Sequence, residues 1–184
     1  MIRAARGETP ADLVIRNAQW LDVFSGTFRQ GDVAVRGDTI VGIQESYDGR
    51  DVVDAQGAYL VPGFIDAHVH SEHALLHGEP ADRFGALIQG VTSHATGADG
   101  FGWAPQGPHD PASLWRSTAF AYGSPGMVPE ARTAAEYLAA FEGRTPVNIV
   151  PFAPHQAIRY AACGWRPTRW AGRSPSATVR RLRA

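Results

Sequence analysis

A single cysteine, Cys163, stands among 184 residues, so no intrachain disulfide can form and nothing marks the chain for an oxidising compartment. Long hydrophobic runs are missing too. Met1 to Pro10 carries charge but no apolar core of signal-peptide length, and no later run approaches a membrane span; a cytoplasmic protein that needs no membrane is the expectation. An excess of either charge is nearly absent, at net −1 with a pI near 6.6, which leaves no electrostatic footprint for nucleic acid or an anionic lipid surface. Acid is lacking at one end: no Asp or Glu follows Glu142, while Arg166 to Ala184 holds six arginines.

What is present is a 44% hydrophobic chain, enough to bury a core. Residues 1–11 read as a mobile leader. From Leu13 the pattern alternates as a strand does, and Asp32–Arg36 faces Thr39–Ile43 across Gly37-Asp38, the length and chemistry of a tight hairpin. Short extended pieces at 52–54 and 58–60 complete a small β-sandwich-like module over 12–60.

At Val61 the rhythm changes. Val61-Pro62-Gly63-Phe64-Ile65-Asp66-Ala67-His68-Val69-His70 reads as a short buried strand delivering two imidazoles at its C-terminal end. A helix is predicted at Pro80–Ile88, a strand at Val91–Thr96, a long Trp/Pro/Gly-rich functional loop at 101–129, an amphipathic helix at Glu130–Glu142 and a strand at Val147–Phe152. Strand and helix alternate as in a (β/α)8 barrel, whose chemistry gathers at the C-terminal strand ends. Eight such units need about 250 residues, so the 61–165 segment accommodates three strands, at most four. Open barrel edges of this kind predict self-association.

In a strand, residues i and i+2 share a face, so His68 and His70 point together and can share a metal ion. The string Pro62-Gly63-Phe64-Ile65-Asp66-Ala67-His68-Val69-His70, with Val53-Asp54-Ala55-Gln56-Gly57 before it, resembles the metal-dependent amidohydrolase superfamily. Gly90-Val91-Thr92-Ser93 running into Gly97-Ala98-Asp99-Gly100, and Val147 to His155 with Arg159 beyond, resemble its D-aminoacylase (N-acyl-D-amino-acid deacylase) branch. The resemblance covers residues 12–165.

That resemblance implies an α/β fold: the sandwich-like module, completed by far C-terminal strands, and the first part of a TIM-type barrel, truncated here. It implies Zn2+, as one or two divalent ions, with His68 and His70 as ligands and metal-activated water attacking the amide carbonyl of a small N-acyl amino acid. Asp99 stands where the branch has a cysteine ligand, and a carboxylate is an acceptable replacement. His155 and Arg159 are candidates to line the substrate site, the guanidinium suiting a carboxylate. No residue matches the family's general-base aspartate or its later histidines, so the chain alone is expected to be an inactive fragment. Other branches share the His-x-His motif, namely dihydroorotase, hydantoinase and adenine deaminase. A reading of a different class is a non-catalytic remnant or a half completed by another chain. For 166–184 a basic tail and a shifted reading frame are both consistent with the sequence.

Overall fold

The computed structural model describes residues 1–122 and 131–165. Two compact units divide at Pro62/Gly63. The expectations for the tail at 166–184, for 123–129 of the long loop and for Glu130 lie outside the described residues. Among the described residues no helix is long and apolar enough to cross a membrane.

The first unit is built on β1 (Ala11–Asp22), which pairs antiparallel with β2 (Thr27–Arg36); β3 (Thr39–Gln44) follows β2 through the predicted hairpin, Arg36 opposite Thr39. On its other side β1 runs parallel to β4 (Gly49–Asp54) and β5 (Tyr59–Leu60). Residues 12–60 thus form one five-stranded sheet, where a sandwich-like pair was expected. Ala11, Val14, Ala34 and Tyr47 form its core. Apart from Tyr47 these side chains are small, and β4 comes close to them: a Cβ on Gly49 would stand 2.6 Å from Val14 Cγ2.

The leader is not free. Ile2–Ala5 is a helical turn, α1, with Ala4 buried, and Tyr47 Oη donates to the Ala5 carbonyl at 2.8 Å. Asp32 is buried opposite the bulge in β1, where donors meet its carboxylate. The amides of Asn17 (3.2 Å) and Tyr47 (3.3 Å) bond its carboxylate, and Arg16 Nε lies at 3.7 Å.

The second unit carries three parallel strands, β6 (Phe64–Asp66), β7 (Val91–Thr96) and β8 (Asn148–Pro151), in that spatial order. Parallel neighbours need crossovers. Helices α2 (Glu72–His77) and α3 (Pro80–Ile88) supply the first, α4 (Pro111–Tyr122) and α5 (Ala134–Ala139) the second, and α6 (His155–Cys163) follows β8. Trp103, Trp115, Tyr122, Tyr137 and Phe141 pack as an aromatic core.

Three expectations are corrected here. The strand before the histidines is three residues long and not buried, with Phe64 58% and Ile65 68% exposed, because β6 is a sheet edge among the described residues. The 101–129 segment is not all loop. Asp110 accepts from the amides of Ala112 (3.0 Å) and Ser113 (3.1 Å), and with Pro111 opening the helix it starts α4, which buries Leu114, Trp115, Thr118 and Tyr122 along one face. The helix expected from 130 to 142 is shortened to Ala134–Ala139, because Thr133 and Glu136 close a capping box at its start. Of its apolar residues Tyr137 is buried, whereas Leu138 is 43% exposed.

Candidate metal centre

His68 and His70 lie just past the C-terminal end of β6, in irregular backbone rather than in the strand itself. Asp66 bends the chain there, its Oδ1 accepting from the His68 amide at 3.1 Å. Past the end of the neighbouring β7, Gly97, Asp99 and Gly100 all have positive φ, and the turn they form projects Asp99 toward the histidines. Asp99 Oδ2 is 3.0 Å from His68 Nε2 and 3.4 Å from His70 Nε2. These hydrogen bonds, from His68 first and then His70, hold the Asp99 carboxyl below the ordinary carboxylate range, so it is ionised at neutral pH. One ligand atom from each of the three residues falls within 4.8 Å of the others, and among the described residues no other such group of histidine, cysteine and acid occurs.

His68 is exposed, whereas His70 is held between aromatic rings, Phe101 at 5.6 Å and Tyr122 at 5.7 Å. Beneath it Glu72 is completely buried. Its Oε1 accepts from Tyr122 Oη at 3.1 Å and Tyr137 Oη at 3.4 Å, while Oε2 has no partner among the described residues. Burial pushes the Glu72 carboxyl up to about 7, opposed by those phenols and by the backbone amides of Glu72 and Gly97. Tyr137 Oη also meets Thr96 Oγ1, at 3.0 Å, at the end of β7. His94 in β7 is buried as well, its Nδ1 2.7 Å from Ser71 Oγ, and burial lowers its pKa against the opposing charge of Asp66.

The other candidates are more distant in role. His155 opens α6, is exposed, and abuts the Asp99 turn, since a Cβ on Gly100 would meet its Cβ at 3.3 Å. Arg159 sits one turn further along α6, half-buried. Neither belongs to the three-residue cluster. His73 and His77 lie side by side in α2 with ring centres 5.1 Å apart and tilted 41°, and His109 packs on Tyr160. A largely apolar cavity of about 420 Å³ opens beside the Asp99 turn, lined by Gly97, Phe101, Trp103, Tyr137, Phe152 and Ile158. Phe101 is common to the cavity and to His70.

No family model matches the chain. In sequence it is similar to an adenine deaminase of Desulfatibacillum aliphaticivorans, 34% identical over 167 residues, which cover 86% of this chain and 27% of that protein. An adenine deaminase of a Methylobacterium species is 40% identical over 121 residues, 66% of this chain and 20% of the relative. In structure the chain superposes on the N-acyl-D-glutamate deacylase of Bordetella bronchiseptica, solved with zinc and a phosphonate inhibitor, with TM-score 0.72 and 26% identity over 95% of this chain and 35% of that one. A D-aminoacylase described as defining a novel subset of amidohydrolases superposes at TM-score 0.67, again 26% identical, over 94% and 35%. The chain belongs to the amidohydrolase superfamily. It spans about a quarter of the length of the sequence relatives and about a third of the structural ones.

The donor set of this amidohydrolase chain fits a divalent ion. Two imidazole nitrogens and one carboxylate oxygen are the ligand types zinc accepts, and a tetrahedral ion with bonds of about 2.1 Å sets its ligand atoms about 3.4 Å apart. The His70 contact to Asp99 has that spacing at 3.4 Å, and the His68 contact is shorter at 3.0 Å. Glu72, Tyr122 and Tyr137 were not singled out by the sequence. The signal available was an acid two residues beyond the His-x-His motif, but its phenol partners lie 50 and 65 positions away.

Proposed function

We propose that the chain provides His68, His70 and Asp99 to the metal site of a hydrolase acting on carbon–nitrogen amide bonds, most like an N-acyl-D-amino-acid deacylase. The observation that carries this reading is the convergence of the three donors at the C-terminal ends of two neighbouring parallel strands. A divalent ion held there would supply Lewis acidity, polarising the scissile carbonyl and making water a better nucleophile near neutral pH.

The chain's own residues have separate parts in this reading. Asp99, kept ionised by the two imidazoles, gives the site its negative charge. Phe101 screens one side of His70 from water and leads into the apolar cavity, which suits an aliphatic or aromatic group of the substrate. Arg159 and His155 are assigned to the substrate carboxylate from the far side of the Asp99 turn. Among the described residues no further carboxylate joins the cluster to take the proton that general-base catalysis requires. The chain alone is therefore expected to bind the ion without turnover.

A second reading, an adenine deaminase, is favoured by the two sequence relatives. The apolar lining of the cavity weighs against it, since a purine presents hydrogen-bonding edges.

The test is zinc content and affinity of the purified chain, beside hydrolysis of an N-acetyl-D-amino acid and of adenine. About one zinc per chain, lost in His68→Ala/His70→Ala, is expected, with no hydrolysis of either compound. Turnover of adenine alone would establish the second reading. Absence of specific zinc would overturn the metal site and leave the non-catalytic remnant.

A further inference from the structure

The buried carboxylate of Glu72 demands an explanation that stability does not supply. Replacing a buried charged group by an apolar residue of similar volume is often neutral or stabilising, and Glu72 leaves one oxygen without a partner among the described residues. Its neighbours show what it joins. It follows His70 by two residues at the start of α2. Tyr122, which donates to it, presses its ring edge-on against the His70 imidazole. Tyr137, its second donor, also bonds Thr96, three residues before Asp99. One carboxylate oxygen therefore links the backbone that carries His70, the strand end that carries Asp99, and two helices from elsewhere in the sequence.

We propose that Glu72 is a positioning residue which, through Tyr122 and Tyr137, fixes the His70 imidazole and the Asp99 turn relative to each other and so sets the affinity of the cluster for a divalent ion. The inference rests on the metal reading given above. It assigns Glu72 no contact with the ion or the substrate. Residues that orient ligands from behind typically change metal affinity by about 10- to 100-fold when removed.

The full chain is titrated with zinc against a chromophoric chelator, and separately with cobalt, whose visible absorption reports the symmetry of its ligands. Glu72→Met keeps the volume and removes the acceptor; about a 10-fold or greater loss of zinc affinity and an altered cobalt spectrum are expected, with thermal stability unchanged or raised. Glu72→Gln retains a carbonyl oxygen for the two phenols and is expected to restore affinity to within about 3-fold. Tyr122→Phe keeps the ring on His70 while removing its hydroxyl, and an intermediate loss is expected; this variant decides the matter if Glu72→Met does not fold. Wild-type affinity and spectrum in both Glu72→Met and Tyr122→Phe would overturn the proposal while leaving the metal site intact. A loss in Glu72→Gln equal to that in Glu72→Met would also overturn it, because the acceptor oxygen would then not be what matters. If the wild type holds no ion that His68→Ala/His70→Ala releases, the metal reading falls and this inference with it.

Discussion

Among the described residues each unit buries one carboxylate, Asp32 in the first and Glu72 in the second, and the two are compensated differently. Asp32 faces two backbone amides and an arginine, so its charge is met from several directions by groups the strands themselves position. Glu72 faces two phenols that share one of its oxygens, and though the backbone amides of Glu72 and Gly97 also favour its charge, burial outweighs them and the other oxygen accepts no hydrogen bond among the described residues. The first arrangement is what a fold builds to hold a bulge in place. The second tolerates incomplete compensation, and it does so directly behind the histidines. On the proposed reading, a buried carboxyl serves architecture in one unit and the metal site in the other.

That contrast can be broken most forcefully through the aromatic core that encloses Glu72's partners. Trp103 is buried against Trp115, Tyr122, Tyr137 and Phe141, and Trp103→Ala should cost about 3–5 kcal/mol of stability, read by chemical denaturation, with zinc affinity falling as the tyrosines loosen. Retained affinity would show that the core and the cluster are independent. Asp32→Ala should cost about 2–4 kcal/mol by orphaning the Asn17 and Tyr47 amides, yet leave zinc affinity unchanged. A shift in metal affinity there would erase the distinction between the two carboxylates.

Protonation sharpens the comparison further. His94 is buried and its pKa is lowered by that burial, so the unfolded chain binds a proton that the folded chain refuses. Its contribution is fully present above about 6.5, the ordinary histidine value, and is lost as pH falls toward the lowered folded pKa. The wild type should therefore lose more stability than His94→Gln between about pH 6.5 and 5, measured by denaturation of the metal-free chain; parallel profiles would show that His94 is already solvated. The smallest effect is expected at the helix cap, where Thr133→Ala should cost about 1 kcal/mol without reaching the metal site.

The parts of this molecule that could be read from its sequence are those whose physics is local. The turn at Gly37-Asp38 announces its hairpin, and Pro80 with the apolar spacing behind it announces α3 to the residue. His68 and His70 were paired by motif and spacing and Asp99 was added by the family resemblance, although the histidines lie in irregular backbone rather than in a strand. Helix α4 escaped notice because the proline and glycine around it read as loop, while its actual start signal is Asp110 capping the chain at Pro111. Glu72 escaped for a different reason: a carboxylate's burial depends on which residues arrive from 50 and 65 positions away, and no local pattern records that.

Asp99 offers its carboxylate from a residue at φ +57. Among residues with a side chain, aspartate and asparagine enter that left-handed region most readily, and others are penalised by about 1–2 kcal/mol. If Asp99 holds an ion as proposed, its exchange for a glutamate or a cysteine carries that torsional cost before coordination chemistry is consulted at all. In the proposed site the choice of ion is then filtered first by backbone geometry at Asp99, and changes of ion preference should arise more readily at His68 or His70, which are not among the positive-φ residues.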